Sequence, residues 1–430
     1  MSARSERLLN RDFVLLWQGQ LVSHLGSQAF LVAVMFWTLE TSGSASVMGL
    51  FLAVTTLPGV VLGPIAGALA DRLPRRAILV GADLVRGLTA CGLAAVVWWL
   101  PGTTAASFAA LFAVAIVYGL AGAVFNPAIS AAIPDLVPAA RVQAANSLCQ
   151  LSGQGSALVG QAVGGVLYRL LGAPLLFAAD GISYLVSAAS EAFIRLPATI
   201  RAEAEPAAGA LKRYLADARA GLAFFWRDRG LRLFLLTAAG INFLFMPVFV
   251  LLPFYATEVL GRGAGWYGYL LASLSGGSLA GTAGGGVLDL RPAARGRLLL
   301  AILVLVPALA AVLGFAGPVG ALGVCFALGA LTGLLNLTTI TLVQLATPPK
   351  LRGRLIGILL TISGAATPLG LAGGGVLRDL TGAGVPSLYL GLGATGVLLV
   401  AVLAATRPEL RAFLAREPEP PSPLDGGRIG

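Results

Sequence analysis

The stretch GPIAGALADRLPRR, residues Gly63–Arg76, stands between two apolar segments that are each long enough to cross a bilayer. Gly63 and Gly67 are four residues apart, so they share a helix face on which a neighbouring backbone can approach closely. Asp71 ends the first segment, and Pro74 prevents a helix from continuing through the turn. The stretch therefore predicts two membrane-spanning helices joined by a short turn that carries one acid and three arginines.

The composition of the whole chain excludes a soluble globular protein. Of its 430 residues, 57% are hydrophobic and 11% are charged, whereas a soluble domain carries about 25% charged residues. The three cysteines, Cys91, Cys149 and Cys325, all fall inside apolar segments and are expected to be buried thiols. With a single histidine and no phosphate-binding glycine-lysine loop, we expect no metal site, no cofactor, no ATP-driven pump and no enzyme activity.

Twelve apolar runs of about 20 residues follow one another along the chain. They lie at 13–38, 47–70, 77–100, 106–132, 144–168, 173–195, 232–257, 266–288, 298–316, 319–344, 355–377 and 385–406. The sequence thus predicts an all-α polytopic membrane protein with twelve transmembrane helices. An even number of spans places both termini on one side of the membrane.

The positions of the basic residues predict which side that is. Of the 29 Lys and Arg residues, Arg169, Arg262 and Arg378 lie on the side opposite the termini, Arg86 lies within a span, and the rest lie on the side of the termini. By the positive-inside rule, both termini are cytoplasmic. The excess of basic charge thus follows the topology, and no nucleic-acid partner is expected. We expect a monomer in a bacterial-type plasma membrane.

The longest loop divides the spans six and six. Gly164-Gly165-Val166-Leu167 matches Gly374-Gly375-Val376-Leu377 at an offset of 210 residues, and at the same offset Asn126 meets Asn336. These matches indicate two repeated halves. The predicted domains are a first half at 1–195, a cytoplasmic linker with an amphipathic helix at 196–231, a second half at 232–406 and a disordered tail at 407–430.

The turn between the second and third spans resembles motif A of the major facilitator superfamily of secondary transporters, although that family usually has Gly where this chain has Pro74. Pro134-Asp135-Leu136-Val137-Pro138, followed by Ala144-Ala145-Asn146-Ser147, resembles the branch of enterobactin-type siderophore and macrolide exporters. The resemblance implies two six-helix parallel-repeat halves that alternate their access to the two sides. It also implies a gating role for the residues of the turn, which are Gly63, Gly67, Asp71, Arg72, Arg75 and Arg76.

Neutral polar side chains recur within the apolar spans. Such residues are costly at membrane depth, so they either line a water-filled path or bond neighbouring helices. We predict a substrate cavity lined by Gln20, His24, Gln28, Asn126, Asn146, Gln150, Gln154, Asn242 and Asn336. Gln20, His24 and Gln28 follow one another at spacings of four, which predicts one polar stripe on the first helix.

Three acids within the spans are candidates for other roles. Asp83 and Arg86 are spaced i, i+3 and predict an internal structural pair. Glu191 lies near the inner end of its span, where its side chain is expected to reach water. Asp180 lies about 9 Å inside its span at ~1.5 Å per residue, which suits proton coupling but also a protonated acid that only packs. His24 is the second candidate for coupling.

Two classes of function remain. The first is a secondary active transporter that exports small amphipathic molecules, drug-, macrolide- or siderophore-like, by proton antiport. An importer or a lipid flippase on the same fold is its close alternative. The second class is a membrane sensor that does not transport, which the intact turn Asp71–Arg76 disfavours.

Overall fold

The computed structural model describes residues 8–70, 73–100, 104–196, 219, 222–223, 225–287, 291–345 and 352–414. Within these residues the chain is helical and contains no strand. The long helices of the first half are α1 (Arg11–Ser42), α2 (Ala45–Ala70), α3 (Arg75–Trp99), α4 (Ala105–Leu136) and a stretch Val142–Ala192 that contains α5 and α6. Those of the second half are α7 (Arg229–Phe254), α8 (Ala264–Val287), α9 (Pro292–Leu313), α10 (Pro318–Leu345), α11 (Arg352–Thr381) and α12 (Val385–Thr406).

The stretch Val142–Ala192 is two helices because its backbone breaks at Gly172. That residue has φ 77° and ψ 173°, a conformation that only glycine adopts readily, and Pro174 follows it. We therefore number residues 142–171 as α5 and residues 173–192 as α6. The sequence left a gap between predicted spans at this position, and the prediction of twelve long helices is confirmed.

Hydropathy supports the membrane assignment. In the part of the chain that the structure describes, nine helical segments are long and apolar enough to cross a membrane, and one of them contains both α5 and α6. Helix α8 is not among the nine. It is rich in small and polar residues, which lower the mean hydropathy of a helix that packs against other helices.

The first half packs around α1, α3 and α6. The α carbon of Gly87 in α3 lies against α6, where an added Cβ would lie 2.9 Å from the carbonyl oxygen of Gly181. Gly19 of α1 lies against Ser187 of α6 in the same way, at 2.9 Å from its hydroxyl oxygen. These glycines let three helices approach closely, and the acids of α3 and α6 are thereby enclosed inside the first half.

A short helix at the end of the second half corrects one prediction. Residues 407–430 were expected to be disordered, but Pro408–Leu414 forms helix α13. Leu410, Phe413 and Leu414 are buried, and Phe413 packs on Gly230 and on the ring of Phe234 in α7. The apolar residues at i, i+3 and i+4 make one face that docks under the bundle.

Several predicted features lie outside the described residues. They include Asp71 and Arg72, most of the linker at 196–231, and the tail from residue 415 onward.

Candidate functional site

The two halves meet at one end of the molecule, where α2 begins and α11 ends. A Cβ added to Gly49 of α2 would lie 2.3 Å from the carbonyl oxygen of Leu371 in α11, and one added to Gly375 would lie 2.1 Å from that of Ala45. Backbone contact this close requires glycine on both helices. We call this contact the α2–α11 crossing.

Helices α5 and α8 cross in the same manner and at the same end. An added Cβ at Gly165 would lie 2.3 Å from the carbonyl oxygen of Ala264, and one at Gly268 would lie 2.4 Å from that of Gln161. The hydroxyl of Ser275 in α8 is also within hydrogen-bonding distance, 2.8 Å, of the side-chain amide of Gln161. Two crossings between the halves therefore hold this end together.

A carboxylate reinforces the α2–α11 crossing. Asp379, at the end of α11, accepts hydrogen bonds from the Ser44 hydroxyl at 2.7 Å and from the backbone amides of Ala45 and Ser46 at 3.1 and 2.8 Å. It thus caps the first turn of α2 across the two halves, where the helix dipole favours negative charge. Partial burial raises the pKa of Asp379, but these hydrogen bonds outweigh that effect and hold its pKa below the ordinary value of 3.8.

A cavity of about 410 Å³ lies between the halves, toward the other end of the molecule. Its wall comes from α5, α8 and α10, and it includes the predicted residues Gln150, Gln154 and Asn336. Ser275, Ser278 and Thr282 add hydroxyl groups from α8. Near the start of α5, Asn146 and Gln150 line an adjoining open depression. The described wall therefore offers amides and hydroxyls from both halves.

The polar residues predicted on α1 do not all face this cavity. Gln20 is buried inside the first half and donates a hydrogen bond of 2.9 Å to Glu191. Gln28 lies between helices and contacts the side chain of Gln161 at 2.9 Å. The side chain of His24 is exposed. The three residues thus differ in environment, because a straight helix presents positions i and i+8 about 80° apart.

The remaining predicted cavity residues lie apart from this wall. Asn126 on α4 is exposed, and Asn242 on α7 accepts a hydrogen bond of 3.1 Å from Thr367 of α11. The latter contact joins two helices of the second half, which is the helix-bonding role that polar residues also fill in membranes.

Asp180 lies inside the first half, where α1, α4 and α6 meet. Its side chain is fully buried, and its carboxyl oxygens lie 2.5 Å from the Tyr118 hydroxyl and 3.1 Å from the Ser27 hydroxyl. The Ser27 hydroxyl is also 2.9 Å from that of Tyr184. The acid is therefore surrounded by hydroxyl groups that can donate to a carboxylate or accept from a carboxylic acid.

Two more acids lie in the same interior. Asp83 Oδ1 is 3.2 Å from Arg86 Nη1, and both side chains are buried. Arg86 also lies over the rings of Phe125 and Tyr184, 4.9 and 5.4 Å from their centroids. Glu191, which was expected to reach water, is fully buried because α1 covers the last turn of α6. That expectation was wrong.

The predicted gating turn is described only in part. Gly63 and Gly67 lie within α2, and Asp71 and Arg72 lie outside the described residues. Arg75 forms an ion pair with Asp135 at the end of α4, and Arg76 donates to the carbonyl oxygen of Ala192 at the end of α6. These two arginines therefore hold helix ends of the first half together.

Sequence reasoning missed the groups that surround Asp180 and the partners of Asp379. Tyr118 is 62 residues from Asp180, and Ser44 is 335 residues from Asp379. Spacing along one helix cannot reveal such pairs. The usable signal for Tyr118 was a hydroxyl inside an otherwise apolar helix, since a buried tyrosine hydroxyl usually finds a partner.

The sequence of this chain is similar to those of known membrane transporters. The family model described as Major Facilitator Superfamily matches residues 16–371. The multidrug efflux pump Tap of Mycolicibacterium fortuitum is 30% identical over 407 residues, which cover 93% of this chain and 96% of the pump. The pump Tap of Mycobacterium tuberculosis is 27% identical over 91% of this chain and 92% of its own length. Macrolide efflux protein A of Streptococcus pyogenes is 26% identical over 57% of this chain and 59% of its own length.

Solved structures share the fold at low sequence identity. The nucleoside transporter NupG superimposes with a TM-score of 0.71 at 12% identity, covering 91% of this chain and 98% of its own. A bacterial homologue of the human lysosomal transporter Spinster, in an inward-facing and unoccupied conformation, has a TM-score of 0.66 at 15% identity. It covers 95% of this chain and 98% of its own.

Proposed function

This chain belongs to the major facilitator superfamily, and we propose that it is a secondary active transporter that exports small amphipathic molecules in exchange for protons. The family and the relatives make it a multi-pass membrane transporter and not an enzyme. Export, the class of substrate and the coupling to protons are our proposal.

The cavity between the halves is the observation that carries the proposal. Helices from both repeats contribute to its wall, which is where transporters of this architecture place their substrate sites. The described wall combines amides and hydroxyls with the apolar side chains of Leu337 and Ile340. Such a surface suits a molecule that presents both apolar area and hydrogen-bonding groups.

The direction of transport is inferred from the relatives. The pumps Tap and macrolide efflux protein A are named for efflux, and the Tap sequences match more than nine tenths of this chain. We extend export to this chain on that basis, with drug-, macrolide- or siderophore-like compounds as the substrate class. Uptake on the same fold would instead raise the cellular level of a transported compound, and lipid flipping would leave it unchanged.

The proposed orientation follows from the basic residues. With both termini in the cytoplasm, the end that carries the two crossings faces outward and the cavity faces inward. The described conformation then corresponds to an inward-facing state of an alternating-access cycle. Asp71, through the family resemblance, would hold the inner gate in the opposite state.

Asp180 is the proposed coupling residue. Asp180 has no cationic partner among the described residues, and a buried carboxyl of this kind favours its neutral form. A coupling residue must bind a proton when it is accessible from one side of the membrane and release it when it is accessible from the other. The hydroxyls of Tyr118 and Ser27 can serve either protonation state. His24, exposed on α1, is proposed to contact substrate.

Accumulation in a host that lacks its own efflux pumps tests the proposal. The protein should lower the cellular level of at least one compound in a panel of macrolides, tetracyclines and amphipathic dyes. Asn336→Leu should weaken this effect because it removes a hydrogen-bonding group from the cavity wall. Thr395→Val is the matched control, since Thr395 is exposed on α12 and bonds only within its own helix. Raised accumulation with the wild type would indicate import instead.

A further inference from the structure

The interior of the first half holds more acidic groups than the coupling proposal uses. Asp83, Asp180 and Glu191 are all fully buried, and Arg86 is the one buried cation among the described residues of this half. Three carboxylates against one guanidinium would leave two uncompensated negative charges away from water. Burying an unpaired charge is costly, so at least one of these carboxyls must carry a proton.

The hydrogen bonds show which acid has the least support as an anion. Asp83 faces the guanidinium of Arg86, and Asp180 is within hydrogen-bonding distance of two hydroxyls. Glu191 accepts a single bond, from the neutral amide of Gln20, and its Oε2 has no partner. A carboxylate in this position is poorly stabilised, whereas a carboxylic acid has a proton to donate from Oε2.

An acceptor for that proton lies nearby. The buried carboxyl of Asp83 lies beside the hydroxyl of Ser187, which is one helical turn before Glu191, and Asp83 Oδ2 has no partner outside this contact. Gly87 contacts Gly181, and because α3 and α6 run in opposite directions, Asp83 comes opposite the turn of Ser187. Asp83 and Glu191 therefore lie about one helical turn apart along the contact between α3 and α6. We propose that Asp83 and Glu191 form a second proton-binding site, in which two carboxyls hold one proton between them beside Arg86.

Other charged or titratable groups around this site are accounted for. On α1 the titratable group is His24, which is exposed. On α4 it is Tyr118, whose hydroxyl bonds Asp180. On α6, Tyr184 stacks on Arg86, and at the start of α3 Arg76 bonds the carbonyl of Ala192. None of them supplies Glu191 with a cation in the described structure, so Arg86 is shared between the two acids.

The position of the Asp83–Glu191 site on α6 connects it to Asp180. Asp180, Ser183, Ser187 and Glu191 follow one another along one buried face of α6, at spacings of three and four. This polar line spans about 17 Å at 1.5 Å per residue. It connects the proposed coupling acid with the end of α6 that lies on the side of the termini. The second site would therefore receive a proton that leaves Asp180, although its occupancy does not depend on what is transported.

Infrared spectroscopy of the purified protein in dodecyl maltoside, a detergent without carbonyl groups, tests the proposal without any substrate. The experiment uses Asp180→Asn as its background, so that any carbonyl band of a protonated carboxylic acid at neutral pH comes from other groups. We expect that band to be present and to be lost when Glu191→Gln is added. Glu258→Gln is the matched control and should leave the band unchanged, since Glu258 is partly exposed and paired with Arg378.

A second variant separates a shared proton from a lone buried acid. Asp83→Asn leaves Arg86 without its anion, so Glu191 should ionise to replace it, and the band should again disappear. A band that survives Glu191→Gln, or that is absent before it, would overturn the proposal. A band that survives Asp83→Asn but not Glu191→Gln would contradict the sharing of the proton. Because no transport is measured, failure of the export proposal would not affect any of these outcomes.

Discussion

Asp180 shows how far a single residue could be understood from sequence. Its burial was expected from its depth in α6, but the hydroxyls that hold it come from α1 and α4. From the sequence, such an acid could serve proton coupling or could be a protonated acid that only packs, because its depth in the helix does not identify its partners. The structure supplies those partners and places the acid inside the first half, away from the described cavity wall.

Replacing Asp180 should separate coupling from movement of substrate. Asp180→Asn keeps the size of the side chain but cannot exchange a proton, so uphill efflux should be lost while downhill movement of the same compound persists. Asp12→Asn, at the start of α1 outside the spans, is the control. Rates in energised and de-energised vesicles provide the measurement. Uphill efflux at the wild-type rate would transfer the coupling role to another group.

His24 is predicted to affect recognition and not coupling. His24→Gln keeps a hydrogen-bonding group at an exposed position of α1 but changes its shape. The variant should alter the order in which compounds of the panel are exported, while each transported compound still moves uphill. Loss of uphill movement for every compound, with downhill movement intact, would instead identify His24 as a coupling residue.

At the scale of elements, the α2–α11 crossing depends on glycine. A Cβ at Gly375 would lie 2.1 Å from the carbonyl oxygen of Ala45, so Gly375→Ala must push the helices apart. Gly373→Ala adds the same atom two residues earlier on α11, where no heavy atom of another part of the chain lies within 4 Å of it. We expect only the first variant to lengthen the distance between spin labels at the exposed positions Leu50 and Leu380. Equal distances in both variants would show that the crossing tolerates side chains.

Asp379 should strengthen the same crossing over a wide range of pH. A carboxylate that caps a helix contributes about 0.3–1 kcal/mol when exposed and up to ~2 when partly buried, so Asp379→Asn should shift the closed population by a factor between about 2 and 30. Its pKa is lowered, so the contribution is present above the ordinary carboxyl value and is lost only as the pH falls through the lowered pKa. The spin-label distances should therefore stay constant between about pH 5 and 8. A transition inside that range would contradict this assignment.

The elements themselves were largely predictable, and their exceptions have physical causes. Apolar runs of membrane length placed the long helices within a few residues, and Gly172 with Pro174 marked the break between α5 and α6. Helix α13 was missed because its seven residues follow the last span and precede a charged, proline-rich tail. Its docking depends on Gly230 of α7, which no local pattern reveals.

At the scale of the whole molecule, the repeat predicted two halves, but it did not predict the conformation. The matching glycines at Gly165 and Gly375 both lie at crossings between halves, which the offset of 210 residues could not show. Composition has no information about which end is closed. That information comes from contacts between residues about 100 or more positions apart.

The orientation in the membrane is predicted to follow the basic residues. In a variant without the native cysteines, Cys at Gly209 should react with an impermeant reagent only from the inside, and Cys at Gly263 only from the outside. The physical reason is the excess of Lys and Arg on the side of the termini. Labelling of Gly209→Cys in intact cells would reverse the assignment of the two ends.

The exchange of substrate for protons can be measured directly in proteoliposomes that contain a trapped pH-sensitive dye. The compound that shows the largest change in cellular accumulation is added outside, so that its gradient drives it inward. With the wild type, entry of the compound should expel protons and make the lumen more alkaline, and with Asp180→Asn the compound should enter without a change in pH. Entry through the wild type with no change in luminal pH would contradict proton antiport.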